Sequence, residues 1–122
     1  MESKGKTRLP KAARNLEEAL ENYKANPAEL NFLTISKAFE ILVEYAWRLL
    51  KEKVEDQGLE APSPKMAVKE AARLKLISEP EIWLDCIDAR NDSVHNYFGI
   101  SKQEYVRLAG DFLRLAQKNL SV

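Results

Sequence analysis

Residues 27–56 read PAELNFLTISKAFEILVEYAWRLLKEKVED, and the spacing of their apolar side chains decides the fold class. Phe32, Ile35, Phe39, Leu42, Ala46 and Leu49 recur at steps of three and four, which draws one stripe along an α-helix. Val43, Trp47, Leu50 and Val54 draw a second stripe beside it. An apolar arc that wide meets neighbours on two sides. Such a helix either lies at the centre of a bundle or carries a core face and a subunit interface together. Asn26 suits an N-cap, Pro27 the first helical position and Glu29 the reciprocal capping place. Gly58 stands where a left-handed residue ends the helix.

Outward from this helix, the same period appears on both sides. Leu9, Ala13, Leu16, Leu20 and Tyr23 predict a helix over residues 9–24, preceded by a flexible tail over residues 1–8. Ser63-Pro64 predicts a short helix over residues 64–75, rich in Ala67, Ala71 and Ala72. Ser78-Glu79-Pro80-Glu81 reads as a capping box, followed by Trp83, Cys86, Ile87, Arg90 and Val94 at helical spacing. Ser101-Lys102-Gln103-Glu104 reads as another, opening a helix over residues 102–119 that buries Tyr105, Leu108, Phe112 and Leu115. Short links between long helices imply antiparallel neighbours. The expected architecture is all-α: an antiparallel up-down bundle of four to five helices, forming a single domain over residues 9–122.

Composition narrows the function classes. The chain has 122 residues, about one domain, with 19 basic and 19 acidic residues and a formal net charge of zero. Bulk electrostatics therefore do not mark a polyanion binder, and any nucleic-acid contact must come from a local patch or one built by two subunits. The single cysteine, Cys86, forms no internal disulfide, which fits a reducing, cytoplasmic setting. No apolar run approaches the roughly 20 residues that span a bilayer, so no membrane partner is expected. No phosphate-cradling glycine loop or metal-ligand cluster appears, so neither a cofactor nor a metal is expected.

Chemistry concentrates in residues 90–97, Arg90-Asn91-Asp92-Ser93-Val94-His95-Asn96-Tyr97, which hold the only histidine in the chain. On a regular helix Arg90 and Tyr97 lie within about 20° of each other, while Arg90 and His95 lie roughly 140° apart. The helix must loosen near Asn96 to Gly99, or a second subunit must complete the cleft, before Arg90 and His95 share a site. A histidine moves protons near neutral pH and a guanidinium clamps phosphate, which together suffice for metal-independent RNA cleavage. One histidine per chain does not easily serve as both acid and base, so a twofold dimer is attractive. The simpler alternative is structural: His95 meets a helix C-terminus, and Arg90 bridges to Asp88 or Asp92.

The string Arg90-Asn91-x-x-x-His95-x-Tyr97 resembles the signature of HEPN-domain proteins. The likeness is closest to nucleotidyltransferase substrate-binding proteins, the HepT-like toxin subfamily. Residues 39–51, Ser63-Pro64-Lys65, Leu76-Ile77 and Trp83-Leu84 are similar to further blocks of that family. The resemblance implies an all-α homodimer whose R-x4-H residues face a twofold cleft. It implies a metal-independent endoribonuclease acting on tRNA or mRNA and neutralised by a small MNT-type nucleotidyltransferase antitoxin that adenylylates the motif tyrosine. On that resemblance Arg90 binds phosphate, His95 does acid/base work, Asn91 orients the site and Tyr97 accepts AMP. A non-catalytic substrate-binding subunit of a two-component nucleotidyltransferase complex uses the same residues. Asp92 sets a carboxylate beside the expected phosphate site, able to hold Arg90 or His95 in place or to weaken RNA binding.

Overall fold

A computed structural model describes residues 4–92 and 101–122, with side chains over residues 8–91 and 101–122. The described residues form five α-helices: α1 (Lys4–Ala25), α2 (Glu29–Asp56), α3 (Pro64–Arg73), α4 (Pro80–Asp92) and α5 (Lys102–Leu120). This is the all-α helical bundle that the apolar periodicity predicts. α2 packs against all four of the other helices, which makes it the central element. Its two stripes account for this. Phe32, Ile35, Phe39, Leu42, Val43, Ala46, Leu49, Leu50 and Val54 are all buried. Trp47 is only partly so.

Contacts along the helices give their directions. Arg8 meets Tyr45 and Tyr23 meets Phe32, so α1 and α2 run antiparallel. Ser78 meets Asn119 and Trp83 meets Phe112, so α4 and α5 do the same. α5 returns beside α2 in the same direction, with Lys102 on Glu29, Tyr105 on Ser36 and Phe112 on Phe39. A chain of rings runs through this seam. Phe32, Tyr105, Phe39, Phe112 and Trp83 follow one another at centroid distances of 5.5, 5.3, 6.0 and 4.9 Å. The last three contacts are edge-on, the arrangement that ring quadrupoles favour. Tyr105 keeps its hydroxyl satisfied inside this core by a 3.2 Å hydrogen bond with Ser36.

Helix ends follow local chemistry, with three departures from expectation. α2 closes as foreseen on Gly58, whose φ of 84° is left-handed. The Gly58 N–H bonds to the Glu55 carbonyl at 2.9 Å and the Leu59 N–H to the Val54 carbonyl at 3.3 Å, a Schellman motif. α3 ends in the same motif with Lys75 in the left-handed place, at φ 62°. Ser63 caps α3 and Ser101 caps α5, each accepting the expected backbone N–H.

The capping of α2 differs. Its N-cap is Ala28, in extended conformation and with no side-chain cap. The turn is held instead by Asn31, whose amide donates to the Asn26 carbonyl at 2.8 Å. Pro27 disfavours helical backbone at Asn26, so the chain stays extended past the proline before winding. The box expected at Ser78 is also absent. Ser78 donates to Asn119 on α5 at 3.3 Å, and Glu79, at φ 51°, carries the chain into α4. Finally, α1 starts at Lys4, five residues before the expected position 9, with Pro10 inside it. Proline offers no N–H to the preceding turn, which is why sequence spacing alone places the start later.

Candidate functional site

Arg90 falls on the buried line of α4, one turn beyond Cys86 and Ile87 and two turns beyond Trp83. Its guanidinium is half-buried and reaches α2. It forms an ion pair with Glu44 through Nη2. Its Nη1 also donates to the Asn91 Oδ1 at 3.4 Å. Asn91 itself is exposed.

The structural alternative for Arg90 placed its partner on Asp88 or Asp92. Asp88 is instead taken by Lys65 of α3 at 2.7 Å, and the Asp92 side chain lies outside the described ones. Arg90 is tied to the central helix, 46 positions away in sequence. This long-range ion pair is the feature that sequence reading missed.

Glu44 is a hub. Besides Arg90, its carboxylate accepts from Arg48 Nε at 2.5 Å and from Trp47 Nε1 at 3.4 Å. Burial pushes the Glu44 carboxyl up, yet the Arg48 hydrogen bond, the Arg90 charge, the Trp47 N–H and the Arg48 charge together outweigh it. The group is held below its ordinary value of 4.5 and stays ionised. Arg48 in turn lies over the Trp47 ring, 5.6 Å from its centroid.

Glu44, Arg48 and Arg90 line a cleft of about 460 Å³ between α1, α2 and α4. Its walls carry Arg8, Lys37, Arg48 and Arg90 against Glu40 and Glu44, with Tyr45 and Ile41 between them. Arg8 donates to the Tyr45 hydroxyl at 3.2 Å, so a residue assigned to the tail is part of this wall. On α2, Lys37, Ile41, Tyr45 and Arg48 follow at steps of four, four and three, one face of the helix. They lie off both apolar stripes, which is the signal that could have marked them. The neutral total charge of the chain hides a cleft that holds, among the described residues, four cations and two carboxylates.

His95 and Tyr97 lie outside the described residues. Their relation to Arg90 stays an expectation from the motif. Cys86 is fully buried in the core, and burial, with Asp85 and Asp111 adding to it, pushes its thiol well above its ordinary value. It fills space as a small hydrophobe. Trp83 is likewise core and offers no face for stacking. No helix among the described residues is long and apolar enough to cross a membrane.

Residues 6–121 match the family model described as nucleotidyltransferase substrate binding protein like. That span takes in nearly the whole chain, the cleft and all five helices but for the first two residues of α1, and the chain belongs to this HEPN/HepT-like family. No curated protein matches it.

Proposed function

We propose that this chain is a HepT-like, metal-independent endoribonuclease that works as a homodimer and is neutralised by a cognate minimal nucleotidyltransferase. The observation that carries the reading is Arg90, held half-buried by Glu44 on the wall of a cation-rich cleft in a chain of this family. A guanidinium aimed by a carboxylate does not need to be ordered when a phosphate arrives, and it stabilises charge that builds on the phosphorus oxygens. His95 moves the proton of the attacking 2′-hydroxyl, and its partner copy in the dimer protonates the leaving 5′-oxygen. Asn91, next to Arg90 and within its reach, orients the guanidinium. Tyr97 accepts AMP from the nucleotidyltransferase, which fills the site and stops cleavage.

The family description favours a second reading, a non-catalytic subunit that holds substrate for a partner nucleotidyltransferase. Incubation of purified protein with tRNA in excess chelator separates the two. Cleavage by the wild type, lost in a folded His95→Ala variant, is expected. Undiminished cleavage by that variant overturns the catalytic assignment, and binding without any cleavage favours the second reading.

A further inference from the structure

We infer that Arg8, Lys37 and Arg48 form a phosphate-binding subsite, separate from the R-x4-H motif, that seats single-stranded RNA next to Arg90. This rests on the endoribonuclease reading for the identity of its ligand. The site stands on geometry. Three helices contribute cations to one cleft, Arg8 from α1, Lys37 and Arg48 from α2, and Arg90 from α4. Lys37 and Arg48 are eleven residues apart on one face of α2, which is about 16 Å along the helix. That length accommodates more than one phosphate of a single strand. The volume of about 460 Å³ is that of a small-molecule pocket, so a short stretch of one strand enters it and a duplex does not.

Charge and hydrogen bonding agree with a phosphate ligand. Among the described residues the cleft sets Arg8, Lys37, Arg48 and Arg90 against Glu40 and Glu44, a surplus of two positive charges, and the Glu44 carboxylate is already engaged by Arg48, Trp47 and Arg90. Tyr45 adds a hydroxyl to the cleft wall, where it accepts from Arg8. A second depression of about 340 Å³ continues from the cleft along the α1–α2 groove, sharing Lys37 and Ile41 with it. Its lining includes Asn15, Asn22 and Thr34, whose amides and hydroxyl suit base edges and ribose. The strand therefore passes from a groove in which Lys37 balances the Glu18 carboxylate to a cationic cleft and ends at Arg90.

The test is binding of a non-cleavable 2′-deoxy-substituted single-stranded oligonucleotide to the wild-type protein, followed by fluorescence anisotropy from 50 to 200 mM salt (roughly the range over which counterion release is read). Each phosphate contact contributes about 0.7 to the slope of log affinity against log salt for a single strand. Arg8→Ala, Lys37→Ala and Arg48→Ala are each expected to lower the slope by about that amount, while Lys37→Arg and Arg48→Lys keep it. Lys24→Ala and Lys118→Ala, outside the cleft, leave it unchanged. Slopes unmoved by the three cleft substitutions overturn the subsite, as does equal or tighter binding of a duplex, or binding of ATP alone with none of the oligonucleotide. Because the readout is binding, a protein that shows the expected slopes but cuts no RNA refutes the nuclease reading and retains the subsite. A protein that cuts RNA with unchanged slopes does the reverse.

Discussion

The Glu44 carboxylate on the central helix pairs with the Arg90 guanidinium at the end of α4, joining two segments that sequence separates by 46 positions. Both side chains are less than a third exposed, 23% and 32%. Arg48, the other arginine on Glu44, is 62% exposed. The difference decides how much each pair contributes. Glu44→Ala leaves Arg90 without this partner at a half-buried position and is expected to cost about 1–2 kcal/mol. Arg48→Ala removes a mostly solvated helix pair and is expected to cost under about 0.5 kcal/mol. Urea midpoints of the two variants check the order, and equal shifts would contradict it.

Acid should weaken the same hub. The Glu44 carboxyl is held below its ordinary 4.5 in the folded chain, so the unfolded chain binds more protons as the solution is acidified. Its contribution is complete above the unfolded value and disappears as pH falls through the folded one. The stability gap between wild type and Glu44→Gln is therefore expected to hold from neutrality down to about pH 5 and to shrink below that. A gap that stays constant to pH 3 or so would assign the stabilisation to something other than this charge.

Cys86 carries the opposite sign. Burial keeps its thiol protonated in the folded chain, whereas an unfolded thiol ionises near pH 8.5 or so. Stability should fall as pH rises above that unfolded value, and Cys86→Ala should remove this alkaline slope. In the native protein the thiol is expected to react with a disulfide reagent only as fast as the chain opens. Immediate stoichiometric labelling would place Cys86 at the surface.

The ring chain at the α2–α5 seam should be the costliest place to cut. Phe112 is fully buried and touches both Phe39 and Trp83. Phe112→Ala is expected to cost about 3–5 kcal/mol. A smaller effect, in the opposite direction, is expected at Lys75, which holds a left-handed φ of 62° at the end of α3. Lys75→Gly should stabilise by about 0.5–1 kcal/mol, because the left-handed penalty it relieves exceeds glycine's extra chain entropy. Thermal midpoints moving the other way would contradict both.

The helices and the core were legible because both depend on spacing within one segment. The stripe from Phe32 to Leu49 reports which face is buried without reference to any neighbour. Schellman ends at Gly58 and caps at Ser63 and Ser101 depend on three or four adjacent residues, and so they read correctly. Ala28 and Glu79 did not, because distant or later residues took over the job. Asn31 reaches back to Asn26, and Ser78 turns to Asn119 on α5. The candidate site shows the same division. The motif singles out Arg90, but nothing local points to Glu44 as a partner. Glu44 lies 46 positions away, and only the crossing of α4 over α2 brings the two together. The four cations of the cleft come from three helices, so neither net charge nor any local run revealed them.

The proposed nuclease stands or falls on the rate of single-stranded RNA cleavage in excess chelator, before and after incubation with the cognate nucleotidyltransferase and ATP. Cleavage by the unmodified protein is expected, reduced about 10²–10³-fold by Arg90→Ala, since that removes charge stabilisation in the transition state. Nucleotidyltransferase treatment is expected to abolish cleavage as AMP appears on Tyr97, and Tyr97→Phe to cut RNA whether treated or not. RNA cut equally well by Arg90→Ala, or by wild type fully adenylylated on Tyr97, would refute the proposed nuclease and its silencing.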